Sequence, residues 1–438
     1  MERLKEKREG VSIAVIVLCC MLMNYILNII NSNMLYIAIM GANLLFFLFT
    51  VKKIIISKNI NTASLWWLAV IAMALSTFRS SFDVNTYVDV YVFFICTVFI
   101  SLCSGSSRLF KPAIKVMFCF SVYYAISIWI QLLIPSTYQL FLTLIPRRNS
   151  SFITEFDSLN SGYTGFTTNP GFTAGYVVTG LLWLFSLYLY RKAVKVKIRL
   201  SFIVTILFML VSLLLTGKRG HLLAFVVSAI VIYLLSTRGK EKFTRFGYVL
   251  TGIAVFLILI LCAGEFFAFI PGVSRINETI MGLIQGEDIS NNRAELYAFA
   301  MQLFKENPLF GVGWGQYRRL TVGNVTLIRT IEAHNIYLQM LCEMGIIGTI
   351  CMIIPMFSSL RLAAKCLKEA VVYHDMEWYP LLSFGLGYQT FFLVYGITGN
   401  PLYDHNCVLL YMVSIMICVV FSKKSRYMID NKHNYYMG

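Results

Sequence analysis

Little in this sequence is made for water. Only 13% of its 438 residues are charged, 58% are hydrophobic and the mean hydropathy is +0.72. A chain so poor in charge is neither a disordered polymer nor an ordinary soluble domain. Alternation of apolar and polar residues is missing as well, which excludes the strands of a membrane β-barrel. Eleven cysteines are present but no C-x-x-C pair, and Cys19, Cys20, Cys96, Cys103, Cys119, Cys262, Cys342, Cys351, Cys407 and Cys418 lie in apolar runs. They read as small core residues rather than a disulfide or metal framework. Histidine is scarce: His221, His334 and His405 lack ligand spacing, so no metal and no cofactor are expected.

What the chain has is long apolar runs. Crossing a bilayer core takes roughly 17 to 25 mostly apolar residues, and twelve windows qualify: 11–30, 34–51, 62–79, 87–107, 112–134, 171–190, 199–216, 221–236, 246–270, 334–357, 379–397 and 405–422. The fold expected is an all-α polytopic membrane protein of about twelve transmembrane helices. The first window has no small-residue cleavage site after it, so it is expected to stay as a span.

The net charge of +16 could point to nucleic acid, but its distribution is topological. With the N-terminus in the cytoplasm, 26 of the 37 Lys and Arg fall in inside segments, among them Arg3, Lys7, Lys52, Lys111, Arg191, Lys197, Arg238, Lys365 and Lys423. The positive-inside rule then places both termini in the cytoplasm. Nucleic acid is not an expected partner; anionic membrane lipid is.

The loops divide the chain. N-terminal helices (1–134), an extracytoplasmic loop (135–170), central helices (171–270), a large extracytoplasmic loop (271–333), C-terminal helices (334–422) and a cytoplasmic tail (423–438) follow in order. Loops this long are usually functional or disordered. In the second, Asn292 and Glu295 form a capping pair, and Leu296, Phe299, Ala300, Leu303 and Phe304 recur at helical spacing up to Asn307-Pro308. That predicts an amphipathic helix lying at the outer surface or roofing a cavity. Gly311, Gly313 and Gly315 around Trp314 lack the strand, helix and Lys-Ser/Thr of a nucleotide loop, and read as a tight surface turn.

"ENPLFGVGWGQY" followed about twenty residues later by "HNIYLQMLCEMGIIG" resembles the O-antigen polymerase and O-antigen ligase family, Wzy-like and WaaL-like membrane glycosyltransferases. "LLLTGKRGHLLAF" (213–225) resembles the family's arginine motif, with Lys218-Arg219-Gly220 where many members show Ser-Arg-Gly. "GFTTNPGFTAGY" (165–176) resembles its Asn-Pro segment, with Asn169-Pro170-Gly171 in place of Asn-Pro-Asn. The resemblance covers roughly 165 to 350. It implies a GT-C-like, metal-independent, inverting transferase acting on polyprenyl-pyrophosphate-linked oligosaccharide donor and acceptor at the outer membrane face, with a chain-length regulator as a possible partner.

The residues suit that chemistry. Releasing pyrophosphate needs cations, and arginine grips phosphate bidentately; Arg219 and Arg293 fall on the family's arginine positions. The incoming hydroxyl needs a base, and histidine is neutral and basic near neutral pH. His334 stands where the loop enters the apolar run, and a helix N-terminus there disfavours the imidazolium. Asn335 is placed to orient it, and Gly345 and Gly348 allow close helix packing. Asn335 is also an expected substrate contact, together with Arg318, Arg319 and Asn169, with Arg329 a further loop cation. Glu343, inside an apolar run, is expected as a structural partner. Glu155 and Asp157 could bind a hard cation, but the metal-dependent relatives carry their acidic motif in the first outside loop, here the uncharged "NSN".

Two classes of function fit. The first is polymerisation of lipid-linked repeat units into a capsule, exopolysaccharide or O-antigen, with O-antigen ligase as the variant that transfers to a lipid A core or other acceptor. The second is a transporter or flippase of the same lipids, which would show related halves and broken helices; neither is evident in the sequence.

Overall fold

The computed structural model describes residues 2–30, 32–50, 62–80, 84–144, 162–237, 244–249, 251–252, 269–286, 293–322 and 331–436. Among them the secondary structure is helical, without strands. The helices used below are α1 (Glu2–Met23), α2 (Asn33–Thr50), α3 (Thr62–Thr77), α4 (Val84–Leu102), α5 (Lys111–Leu133), α6 (Pro135–Thr143), α7 (Pro170–Ala193), α8 (Leu200–Leu215) and α9 (Arg219–Leu235). There follow α10 (Pro271–Gln285), α11 (Arg293–Glu306), α12 (Tyr317–Leu320), α13 (Ile336–Val372), α14 (Tyr379–Tyr395) and α15 (His405–Tyr436).

Eleven of the twelve apolar windows fall on helices; the other, 246–270, lies mostly outside the described residues. Among the described residues, six helices are long and apolar enough to cross a membrane: Glu6–Leu27, Asn33–Thr50, Ser107–Leu133, Pro170–Ala193, Ile336–Val372 and His405–Ser425. Their outward faces are greasy. Leu45, Phe46 and Phe49 on α2, Ile203, Val204 and Leu207 on α8, and Ile346, Ile350, Ile354 and Phe357 on α13 are exposed. A water-soluble protein does not leave such surface open; hydrocarbon covers it without cost. This is a membrane protein.

α14 and α15 form the centre, packed on each other, with α1 and α4 against α15 and with α7, α9 and α13 against α14. Polar side chains bridge the helices inside: Trp66 donates to Ser359 (2.9 Å), Tyr176 donates to Asn406, and Thr168 donates to Asn24 (2.9 Å). Between helices such bonds satisfy groups that lipid cannot. At one end of the bundle Lys423 donates to the carbonyls of Ser101 and Cys103, and Lys424 faces Asp375 at 3.5 Å. The starts of α7, α9, α13 and α15 meet at the other.

Two expectations are corrected in α13. The sequence shows no broken helix, yet α13 breaks at Gly345, whose φ of 65° and ψ of −173° are not helical. The glycine-rich turn, expected at the surface, is driven into that break. Gly311, Gly313 and Trp314 are buried, and the backbone groups freed by the break are taken up by the turn. Val312 N–H donates to the Cys342 carbonyl (2.9 Å), Gly313 N–H to Glu343 (2.8 Å), and Ile346 N–H to Pro308 (2.9 Å). A Cβ on Gly311 would lie 2.3 Å from the Glu343 carbonyl carbon, and one on Gly345 2.3 Å from that of Leu309. Only paired glycines let the two backbones touch. Irregular backbone within a membrane helix is tolerated where protein, rather than lipid, supplies the partners.

Glu343 holds the turn from below. Its Oε1 accepts from Tyr317 N–H (3.0 Å) and Gln339 (3.4 Å), its Oε2 from Gly315 N–H (2.9 Å) and the Tyr403 hydroxyl. The structural role expected of it is the one it has. Trp314 in turn stacks on Tyr403 with centroids 4.5 Å apart and donates to Asp89 (3.0 Å), whose other oxygen meets His405 at 2.6 Å.

Candidate active site

Four segments bring the site together. α13 begins behind its cap: the Asn335 side chain accepts from Tyr337 N–H (3.0 Å) and Leu338 N–H (3.1 Å), and Ile336 N–H donates to Gly396 (2.9 Å). That anchors the turn before it, in which His334 takes a left-handed φ of 53°. α11 starts at Arg293, whose guanidinium donates to the Thr398 carbonyl at 2.9 Å. α9 starts at Arg219, with Gly220 so close to Thr398 that a Cβ would meet its hydroxyl at 2.8 Å. The loop from Gly396 to Thr398 is thus the common seat of α9, α11 and α13. α10 adds the fourth side, where the Arg219 guanidinium donates to the Thr279 hydroxyl and reaches the Arg275 carbonyl at 3.5 Å.

The electrostatics are one-sided. Burial, then the charges of Arg293 and Lys218, push the His334 imidazole from its ordinary 6.5 down to about 4. Burial, then Arg275 and Arg293, bring the Lys218 amine from 10.5 down to about 8. Arg219 lies within reach of the same Arg275 and Arg293 charges, with Glu278 the acid acting on it. Among the described residues, Lys218, Arg219, Arg275, Arg293 and His334 therefore occupy one neighbourhood in which cations outnumber acids. Such a place favours a multiply charged anion, and a neutral imidazole beside it accepts a proton readily only once that field is offset.

The expected residues divide. His334, Arg219 and Arg293, far apart in sequence, come together. Arg318 and Arg319 sit exposed on α12, and the Arg318 charge is felt by Glu332 rather than by the cation cluster. Burial pushes the Glu332 carboxyl up, while a hydrogen bond from Gln339 and the Arg318 charge oppose that rise. Asn335 caps α13, and no hydrogen bond joins its side chain to His334 among the described residues. Asn169 caps α7 by accepting from Gly171 N–H at 2.7 Å. The His221 ring on α9 lies 3.9 Å from where a Cβ on the neighbouring Gly171 would be. His221 packs on Tyr395 (centroids 4.1 Å) and His405 on Asp89. Among the described residues no group of three or more His, Cys, Asp or Glu is gathered to hold a metal ion. Asn292, Arg329, Glu155 and Asp157 lie outside the described residues.

Sequence reasoning missed Lys218 and Arg275 as site members. Lys218 was visible as an extra cation beside Arg219 at a span end; Arg275 carries no such signal, because α10 was read only as loop.

Residues 204–353 match the Wzy_C family, described as O-antigen ligase. This segment is a Wzy_C domain. The comparison with curated proteins gives no match. All five members of the charged cluster lie inside the Wzy_C segment, whereas Asn169 and the Gly396–Thr398 seat lie outside it. The domain supports, at a coarse level, an enzyme of membrane glycan processing that works on lipid-linked glycans.

Proposed function

We propose that this chain polymerises polyprenyl-pyrophosphate-linked oligosaccharide units into an envelope polysaccharide, on the outer face of a twelve-helix protein whose termini are cytoplasmic. The observation that carries the reading is the convergence of His334 with Arg219, Arg293, Lys218 and Arg275 at the end of the bundle opposite Lys423 and Lys424. In this mechanism an acceptor hydroxyl attacks the anomeric carbon of the donor sugar. The new C–O bond forms as the bond to pyrophosphate breaks, and the leaving group departs with the electron pair. The hydroxyl proton passes to His334, while Arg219 and Arg293 hold the growing negative charge. One displacement inverts the anomeric centre, and no metal is needed where guanidinium groups neutralise the leaving group.

Ligase chemistry is the second reading, favoured by the O-antigen ligase description of the matched family. It uses the same groups and differs in acceptor. Incubating membranes with a defined lipid-linked repeat unit separates the two. A ladder of products supports the polymerase; single transfer to lipid A core or another acceptor supports the ligase; movement of intact donor without a new glycosidic bond would mean a transporter.

A further inference from the structure

The left-handed φ of 53° at His334 is a conformation that a non-glycine residue keeps only where its surroundings impose it. On the C-terminal side Asn335 caps α13 and Ile336 N–H is tied to the Gly396 carbonyl. On the N-terminal side the constraint comes from one side chain, Gln339, in the first turns of α13. Gln339 is completely buried. Its Oε1 accepts from Ala333 N–H at 3.1 Å, while its Nε2 donates to the Glu332 carboxyl and reaches Glu343 Oε1 at 3.4 Å. Both residues that precede His334 are thus held by the same amide, Glu332 through its side chain and Ala333 through its backbone.

That arrangement suits a carboxamide and little else. A primary amide carries one oxygen acceptor and two N–H donors in one plane. Here the acceptor meets a backbone N–H and the donors meet two carboxyl groups. Glutamate would bring a third carboxyl to the same spot. An apolar side chain would leave the N–H of Ala333, itself 0% exposed, without its acceptor. Closing the helix does not require these bonds, because Asn335 already caps α13 and the Gln339 backbone N–H already donates to the Asn335 carbonyl at 3.0 Å. They reach outside the helix, to the peptide in front of His334. Through Glu343 they tie that peptide to the turn carrying Gly315 and Tyr317.

We propose that Gln339 is a positioning residue for His334: its carboxamide fixes the Glu332–Ala333 segment, so that the imidazole is presented to the acceptor hydroxyl from a turn that cannot relax. The proposal rests on the reading of His334 as the base. Gln339 acts through His334 alone, so its loss falls on proton transfer and not on the hold that Arg219 and Arg293 have on the diphosphate.

The test is a double-mutant cycle on the full chain in membranes: parent, His334→Ala, Gln339→Met and the two together, compared at equal amounts of folded protein. Binding is read with farnesyl diphosphate, and turnover with the lipid-linked repeat unit that separates polymerase from ligase. Gln339→Met should bind the probe as the parent does and turn over up to about 10²-fold more slowly, the cost of a misplacement of about 1 Å. Added to His334→Ala it should cost nothing further, because residues that act as a unit are not additive. Gln339→Glu keeps an acceptor for Ala333 N–H and should recover part of the turnover; it also carries the cycle if Gln339→Met does not fold. Near-normal turnover of Gln339→Met, probe binding lost along with turnover, or a further loss on the His334→Ala background each overturns the positioning and leaves the base standing. Near-normal turnover of His334→Ala overturns both.

Discussion

Replacing Glu343 by Gln removes one oxygen from a site built for two. Each carboxylate oxygen accepts one backbone N–H, from Tyr317 on one side and Gly315 on the other, together with Gln339 and Tyr403. Whichever way the new amide turns, its NH₂ faces a backbone N–H. That buried N–H loses its acceptor, while the Tyr403 hydroxyl or the Gln339 amide can turn to accept instead, so the loss is about 1–3 kcal/mol. Whole proteins are stable by only about 5–15 kcal/mol, so the turn carrying Trp314 and α12 should come loose first. Thermal unfolding of the purified protein in detergent should show a lowered midpoint, and trypsin should cut faster at the exposed Arg318 and Arg319. A variant as stable and as protease-resistant as the parent would mean that the four donors do not depend on the carboxylate, and the account of this loop would fail.

Other expectations are narrower. Gly345→Ala places a Cβ 2.3 Å from the Leu309 carbonyl carbon at a φ of +65°, so beyond the roughly 1–2 kcal/mol of left-handed strain the break cannot close, and folded yield in membranes should collapse. Acidification should weaken the donor-free protein: the unfolded His334 titrates near its ordinary 6.5 and the folded one near about 4, so between them the unfolded chain binds more protons and stability falls as pH falls. Thermal midpoints at pH 7 and 4.5 measure this, and His334→Asn should reduce the difference. Purified protein treated with a chelator should keep its transfer activity; activity lost and then restored by a divalent ion would move the chemistry to a metal.

Much of the membrane architecture is legible in the sequence because apolar run length is a local property. The α7, α13 and α14 starts fall within about two residues of the windows read for them, and α11 follows the spacing of Leu296, Ala300 and Leu303, all buried. The break at Gly345 was not legible. "EMGIIG" is continuous apolar sequence, and Pro355, the obvious breaker, sits in unbroken helix. The cause is a tertiary contact with Leu309 and Phe310, more than thirty residues earlier. The site was half legible for the same reason. His334, Arg219 and Arg293 carry motif signals, whereas Arg275 joins them through Thr279 and the fold of α10, which no local pattern announces. Asn335 and Asn169 were read as substrate contacts, and the structure commits both side-chain oxygens to helix caps.

The central claim is that His334 takes the acceptor's proton while Arg219 and Arg293 hold the diphosphate. One membrane assay tests it most directly, measuring donor binding and product length at matched expression for His334→Ala, Arg219→Ala, Arg219→Lys and Arg293→Ala. The account predicts donor binding retained and turnover lowered by roughly 10² to 10⁴ for His334→Ala, the usual contribution of a positioned proton acceptor. It predicts both quantities impaired for the arginine-to-alanine variants, and partial rescue by Lys, which lacks the bidentate fork. Near-normal product from His334→Ala would contradict it and leave this histidine as an interfacial anchor.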